Sequence, residues 1–191
     1  ARDLCERLGV EWREANIAPL VAGYTDRMPY DVDVLSLGNL RARTRMVFCY
    51  LEANVHDGLV VGPDNRSEYL LGYFTKFGDG AADVRPLGDL YKTEIYDLAE
   101  YMGVDEKFVE KTPTAELWAG QTDEGEIGTK YENIDSFLRA YVDDGEGVEG
   151  ATDSAGVDMA TAERLAELVD GSGHKRAVPP TASMPDRSPL G

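Results

Sequence analysis

A short apolar run, Leu59-Val60-Val61, lies between Gly58 and Gly62, and a glycine-rich stretch reaches from Gly62 to Gly88 behind it. An apolar run of that length between turn residues predicts a buried parallel strand. A helical turn is expected to start after Asp64 or Asn65, and the remainder reads as a long loop. Long ordered loops inside compact domains usually carry function. Open α/β sheets hold their ligands beyond the C-terminal ends of their strands, which is where this loop begins.

The rest of the chain supplies helices for such a strand to pack against. Residues 2–9 read as the end of a helix stopped by Gly9, and Val10 to Ile17 as a second strand, followed by a Pro19–Pro29 loop. Asn39 is positioned to cap a helix to about Asn54, with Leu40, Val47, Tyr50 and Leu51 on its apolar face and Arg41, Arg43 and Arg45 opposite. Asp89 is positioned to cap a helix ending near Gly103, and a shorter helix spans about Asp105 to Lys111. The segment from Pro113 to Gly128 reads as loop. Thr129 to Glu132 has capping-box form ahead of Ile134, Phe137, Leu138 and Tyr141. Residues 143–156 read as an acidic, glycine-rich linker between a main part, 1–142, and a C-terminal piece, 157–191, holding a helix near Met159 to Val169 and a basic tail. The class is α/β with a small parallel sheet, and two strands rarely stand alone.

The loop carries the chemistry. GYFTKFGDGAAD sets Lys76, Asp79 and Asp83 among glycines that allow a backbone to approach a ligand closely. Asn65-Arg66-Ser67-Glu68 and Lys92 add charges of both signs near the same strand end. These residue types point to a phosphate-bearing ligand with a divalent cation.

Charge excludes other classes. Thirty-six acidic against 19 basic residues leave a net charge of −17 in 191 residues. That balance opposes nonspecific binding to a nucleic-acid backbone, and no apolar run suits a membrane span. Apolar content of 42% is ordinary for a globule, so the acidity belongs to a folded surface and points to a salt-rich, halophilic cytoplasm. Two cysteines without a pairing pattern, Cys5 and Cys49, fit a reducing compartment.

Six stretches, GNLRARTRM, VGPDNRSE, GYFTKFGDGAADVRPLGDLYKTEI, PTAELWAGQTDE, GTKYENID and HKR, recur in order from residue 38 to 176. Together they resemble the ammonia-dependent NAD synthetases of the ATP-pyrophosphatase group. The resemblance implies a Rossmann-like, adenine nucleotide alpha hydrolase-like α/β fold. It also implies an ATP-dependent amidation of deamido-NAD with ammonia, using magnesium, in a cytoplasmic homodimer. By the same resemblance Arg43, Lys76, Asp83, His174 and Lys175 match contacts to deamido-NAD, Lys92 and Thr114 match contacts to ATP, and Glu68 matches a magnesium ligand. Pro63 stands where the family has threonine and offers neither hydroxyl nor N–H to ATP.

The family's SGGxDS phosphate loop does not occur in these residues, and no Walker-type loop replaces it. The expectation is therefore an N-terminally truncated α/β domain that does not make NAD by itself. Alternatives are a noncatalytic dinucleotide-binding remnant and another ATP-pyrophosphatase; the GYFTKFGDGAAD and HKR stretches weigh against the second.

The acidity predicts a salt requirement. At about 0.01 M ionic strength charges interact over roughly 30 Å, and at about 1 M over roughly 3 Å. The helical circular-dichroism signal and the sedimenting mass are both expected to grow between those conditions. Equal helicity and equal mass at both would refute the salt argument.

Overall fold

A computed structural model of the chain describes residues 2–182. The helices are α1 (Arg2–Leu8), α2 (Ala18–Thr25), α3 (Val34–His56), α4 (Arg66–Leu71), α5 (Lys92–Tyr101) and α6 (Glu106–Val109). They continue as α7 (Asp123–Ile127), α8 (Tyr131–Leu138), α9 (Val148–Ala155), α10 (Met159–Gly171) and α11 (Gly173–Arg176). A π-helical turn, Arg139–Asp143, prolongs α8.

The core gathers around α8. Ile134, Phe137 and Leu138 recur at helical spacing and are fully buried, against Leu70 and Leu71 of α4, Tyr91, Ala151 and Ala155 of α9, and Ala162, Leu165 and Val169 of α10. Tyr141 packs on Phe137 with ring centroids 5.3 Å apart. Burying side chains of this size contributes about 1.5–3 kcal/mol each.

Several sequence expectations need correction. The linker expected over 143–156 contains α9, whose Ala151, Thr152 and Ala155 are buried. Its glycines bound the helix: Gly147 is the N-cap, and Gly156 takes the left-handed C-cap conformation at φ 63°. The loop expected from Pro19 contains α2, because proline is tolerated in a first helical turn. The strand expected over Val10 to Ile17 is unpaired, with Val10 and Trp12 exposed. Within Pro113–Gly128, Thr122 caps α7 by accepting from the Gly125 N–H. Residues 183–191 of the expected C-terminal piece lie outside the described residues.

Caps moved as well. Asp33, not Asn39, caps α3 by accepting from the Ser36 N–H at 2.9 Å. Asp89 caps nothing and meets Arg66 at 3.5 Å on the surface, while α5 starts after Tyr91. The capping box at Thr129 is not formed; Lys130 precedes α8, and Thr129 accepts from the Asn133 side chain instead.

The strand expected at Leu59-Val60-Val61 is a single parallel bridge, Val61 to Val84. The Asp83 N–H donates to the Val60 carbonyl and the Gly62 N–H to that of Val84, both at 2.9 Å. Leu59 and Val61 are exposed. On α3 the buried positions are Gly38, Ala42 and Thr44, while Val47 and Leu51 face outward. Of the apolar face expected there, Leu40 and Tyr50 are half-buried and none joins the core around α8, while the small residues Gly38 and Ala42 meet the loops carrying Trp118 and Gly78 closely.

This distribution predicts unequal costs of truncation. Leu165→Ala is expected to lower unfolding free energy by about 2–5 kcal/mol, and Leu51→Ala by less than about 0.5 kcal/mol. Urea midpoints of the two variants check it.

Candidate functional site

The chain beyond the bridge turns directly into α4. Asn65 accepts from the Glu68 N–H at 2.9 Å, and the Glu68 carboxylate accepts from the Asn65 N–H at 3.2 Å, a complete capping box. The box pins Glu68 against α5, where its other oxygen lies 3.3 Å from Lys92 Nζ. Lys92 also sits over the Tyr131 ring, 5.3 Å from its centroid.

These residues edge a cleft of about 610 Å³. Pro63, Glu68, Lys92 and Thr114 all line it, together with Arg45, Asp64, Asp79 and Asp123. The first four come from the bridge end, α4, α5 and the loop before α7, so tertiary packing has assembled them from distant parts of the sequence. Pro63 is exposed at the rim.

The cleft has strong electrostatics. Asp64 is almost wholly buried, and its Oδ2 has no hydrogen-bond partner. Burial first, and then the nearby Asp79 and Glu68 carboxylates, push its pKa up to about 7 against the pull of Arg85. Asp123 is buried with Oδ1 unpartnered while Oδ2 accepts from Tyr131 at 3.1 Å; burial raises its pKa. Two orphaned carboxylate oxygens beside Glu68 are an arrangement that a cation or a proton relieves. Among the described residues no group of three or more His, Cys, Asp or Glu is placed to hold a metal by itself. A metal here needs ligands from water or substrate as well.

Arg43, Lys76, His174 and Lys175 gather beside this cleft without lining it. Arg43 Nε donates to the Lys76 carbonyl at 3.2 Å, and Lys76 Nζ donates to the His174 carbonyl. Lys175 is tied more deeply. Its Nζ donates to the carbonyls of Gly72 at 2.7 Å and Phe74 at 3.1 Å, and burial lowers its pKa. Gly72 has φ 65°, and a Cβ there would meet Ser172 at 2.2 Å, so glycine is needed for α11 to dock. Asp83 stands apart from this cluster. Its carboxylate accepts from the Val60 N–H at 2.8 Å and faces Tyr50, which braces the bridge.

Sequence reading did not single out Asp64, Asp123 or Asp135. Asp64 carried a signal, since it follows Pro63 and stands one residue before the N-cap of α4; Asp123 carried a weaker one, as the first residue of α7. Asp135 carried none, because an aspartate inside a helix usually faces water.

Asp64 generates a pH prediction. A folded-state pKa near 7, above the unfolded carboxylate value, means the folded state holds a proton that the unfolded state has released. Stability contributed by that proton is present below about pH 4 and is lost as pH rises toward 7. Asp64→Asn removes this loss. Its stabilisation relative to the unchanged chain should grow from pH 4 to 7, level off above, and reach on the order of a few kcal/mol by urea midpoints. A difference that does not vary with pH would overturn the assignment.

Comparison with known proteins points to one family. A model of the family described as NAD synthase matches residues 1–179. The NH(3)-dependent NAD(+) synthetase of Pyrococcus horikoshii is 41% identical over 186 residues, covering 97% of this chain and 72% of that protein. The Halobacterium salinarum counterpart is 44% identical over 181 residues, or 94% of this chain and 68% of the other. Among solved structures, NMN synthetase from Francisella tularensis has a TM-score of 0.83 at 36% identity, covering 96% of this chain and 71% of its own. The NH3-dependent NAD synthetase from Campylobacter jejuni has a TM-score of 0.77 at 29% identity, with coverage of 96% and 70%. The fold class is the adenine nucleotide alpha hydrolase-like α/β fold of these proteins, of whose sheet the described residues contribute one parallel bridge. With its strand-end cleft, its order of motifs and a family match over nearly its whole length, the chain belongs to the NAD synthase family.

Proposed function

We propose that the chain serves the ATP-dependent amidation of deamido-NAD by ammonia. The nicotinate carboxylate attacks the α-phosphorus of ATP and pyrophosphate leaves. Ammonia then attacks the acyl-adenylate carbon, AMP leaves with the bonding electrons, and the nitrogen releases one proton to solvent as the amide forms. The observation that carries this reading is the meeting of Glu68, Lys92 and Thr114 in one cleft beside the bridge end.

Lys92 brings a compact positive charge to the polyphosphate, and its release from Glu68 on binding leaves that carboxylate free. Glu68 fits a magnesium ion that keeps water and phosphate as its other ligands, in a cleft whose excess of carboxylates favours a cation. Bound there, magnesium would offset the developing charge on the leaving pyrophosphate. Thr114 offers a hydroxyl to the same cleft, and Pro63 offers no donor. The Arg43, Lys76, His174 and Lys175 cluster, with Asp83 at the bridge, would hold deamido-NAD alongside. The working form is a cytoplasmic homodimer suited to high salt, supported by the −17 charge and by the exposed apolar residues of α3. Among the described residues no helix is long and apolar enough to cross a membrane.

Amidation to NMN is a second reading, favoured by the Francisella tularensis structure. The NAD synthetases of Pyrococcus horikoshii and Halobacterium salinarum, at 41% and 44% identity, favour NAD.

The test uses the chain extended upstream by a family segment that carries SGGxDS. Glu68→Gln is expected to raise the magnesium needed for half-maximal rate about tenfold, equivalent to about 1.4 kcal/mol, with the KM for deamido-NAD little changed. Lys76→Ala should do the reverse. Identical profiles would refute the division into metal and dinucleotide halves, and NMN as the only amidated product would select the second reading.

A further inference from the structure

Asp135 lies on α8, away from the cleft, yet is only 2% exposed. Both carboxylate oxygens are used. Oδ1 accepts from the Ser67 hydroxyl, and Oδ2 accepts from the Thr93 N–H at 2.9 Å. Ser67 Oγ in turn accepts from the Lys92 N–H at 2.9 Å. One buried carboxylate therefore joins the first turn of α4 to the first turn of α5, where backbone N–H groups have no partner within the helix.

The residues next in sequence face the cleft: Glu68 follows Ser67, and Lys92 precedes Thr93. Their charged ends lie 3.3 Å apart. We infer that Asp135, acting through Ser67, is a positioning residue that sets the separation and aim of the Glu68–Lys92 pair. The inference rests on the proposed roles of that pair at metal and phosphate.

Burial raises the Asp135 pKa, while the Ser67 and Thr93 hydrogen bonds oppose the rise by favouring the charged form. Arg139 stabilises the anion from the same face. An amide cannot reproduce the arrangement. It accepts at one end only, and its NH2 end would either meet the Thr93 N–H as donor against donor or displace the Ser67 proton. The clamp thus needs a carboxylate for its hydrogen-bonding capacity as well as its shape.

Two variants test this. Ser67→Ala removes only the bridging hydroxyl, and Asp135→Asn removes one acceptor. The first readout is the side-chain ammonium NMR spectrum of the chain labelled with ¹⁵N-lysine. The Lys92 resonance is expected to shift or broaden in both variants. That of Lys175, held by the Gly72 and Phe74 carbonyls, should stay in place as an internal control. In the upstream-extended enzyme the half-saturating magnesium concentration should rise on the order of tenfold, as for outer-shell partners of metal ligands. The KM for deamido-NAD should stay within about twofold, the split expected when only one half of a site is disturbed.

A Lys92 resonance unchanged in folded Ser67→Ala, with only the melting temperature lowered, would overturn the inference and leave Asp135 a purely structural residue. Should Asp135→Asn not fold, Ser67→Ala decides alone. If the unchanged extended enzyme made no NAD, the synthetase reading would fail, while the Lys92 spectrum would still report on the clamp.

Discussion

The buried face of α8 is the constraint on which the rest of the molecule depends. Ile134, Phe137 and Leu138 have no water contact, and α4, α5, α9 and α10 all pack on that helix. The chain must bring helices from distant parts of its sequence to one apolar stripe, and α4 and α5, which supply Glu68 and Lys92 to the cleft, are among them. The same packing that removes apolar surface from water therefore sets the site. A cavity in this core would act on Glu68 and Lys92 as well as on stability.

Polar groups at the edge of that core carry the second half of the design. Seating α4 and α5 on α8 takes their first turns at least partly out of water, and the N–H groups there then need acceptors. Asn65 and Glu68 meet the need for α4, and Glu94 accepts from the Tyr91 N–H at the start of α5. Further out, Arg66 meets Asp143 and Arg139 meets Glu94 at 2.6 Å. Such exposed pairs add little individually, but all lie on the seam between α4, α5 and the π-helical turn.

The cleft is arranged differently, with carboxylates in excess of cations and two of their oxygens left without partners. Leaving polar atoms buried and unsatisfied costs stability, and a folded chain tolerates it where a ligand or ion supplies the missing contact. The basic cluster of Arg43, Lys76 and Lys175 lies beside it, so opposite charges are segregated into neighbouring compartments. A ligand that is anionic at one end and cation-associated at the other suits that division.

Much of the helical framework was legible in the sequence. The start of α4 after Asp64 or Asn65, the end of α5 near Gly103, the apolar spacing of Ile134, Phe137 and Leu138, and the helix from Met159 depend on neighbours within one or two turns. The motifs that carry the family resemblance were equally readable, because residue type and order are properties of the chain itself. Other features were decided only in three dimensions. Asp89 lost the α5 cap because the Thr93 N–H found a buried acceptor on α8, and the acidic segment at 148–155 became a helix because α8 offered its small residues a surface. Asp64 and Asp123 became perturbed acids by burial. Local periodicity and capping are written in adjacent residues, whereas desolvation and long-range hydrogen bonding exist only after distant segments have met.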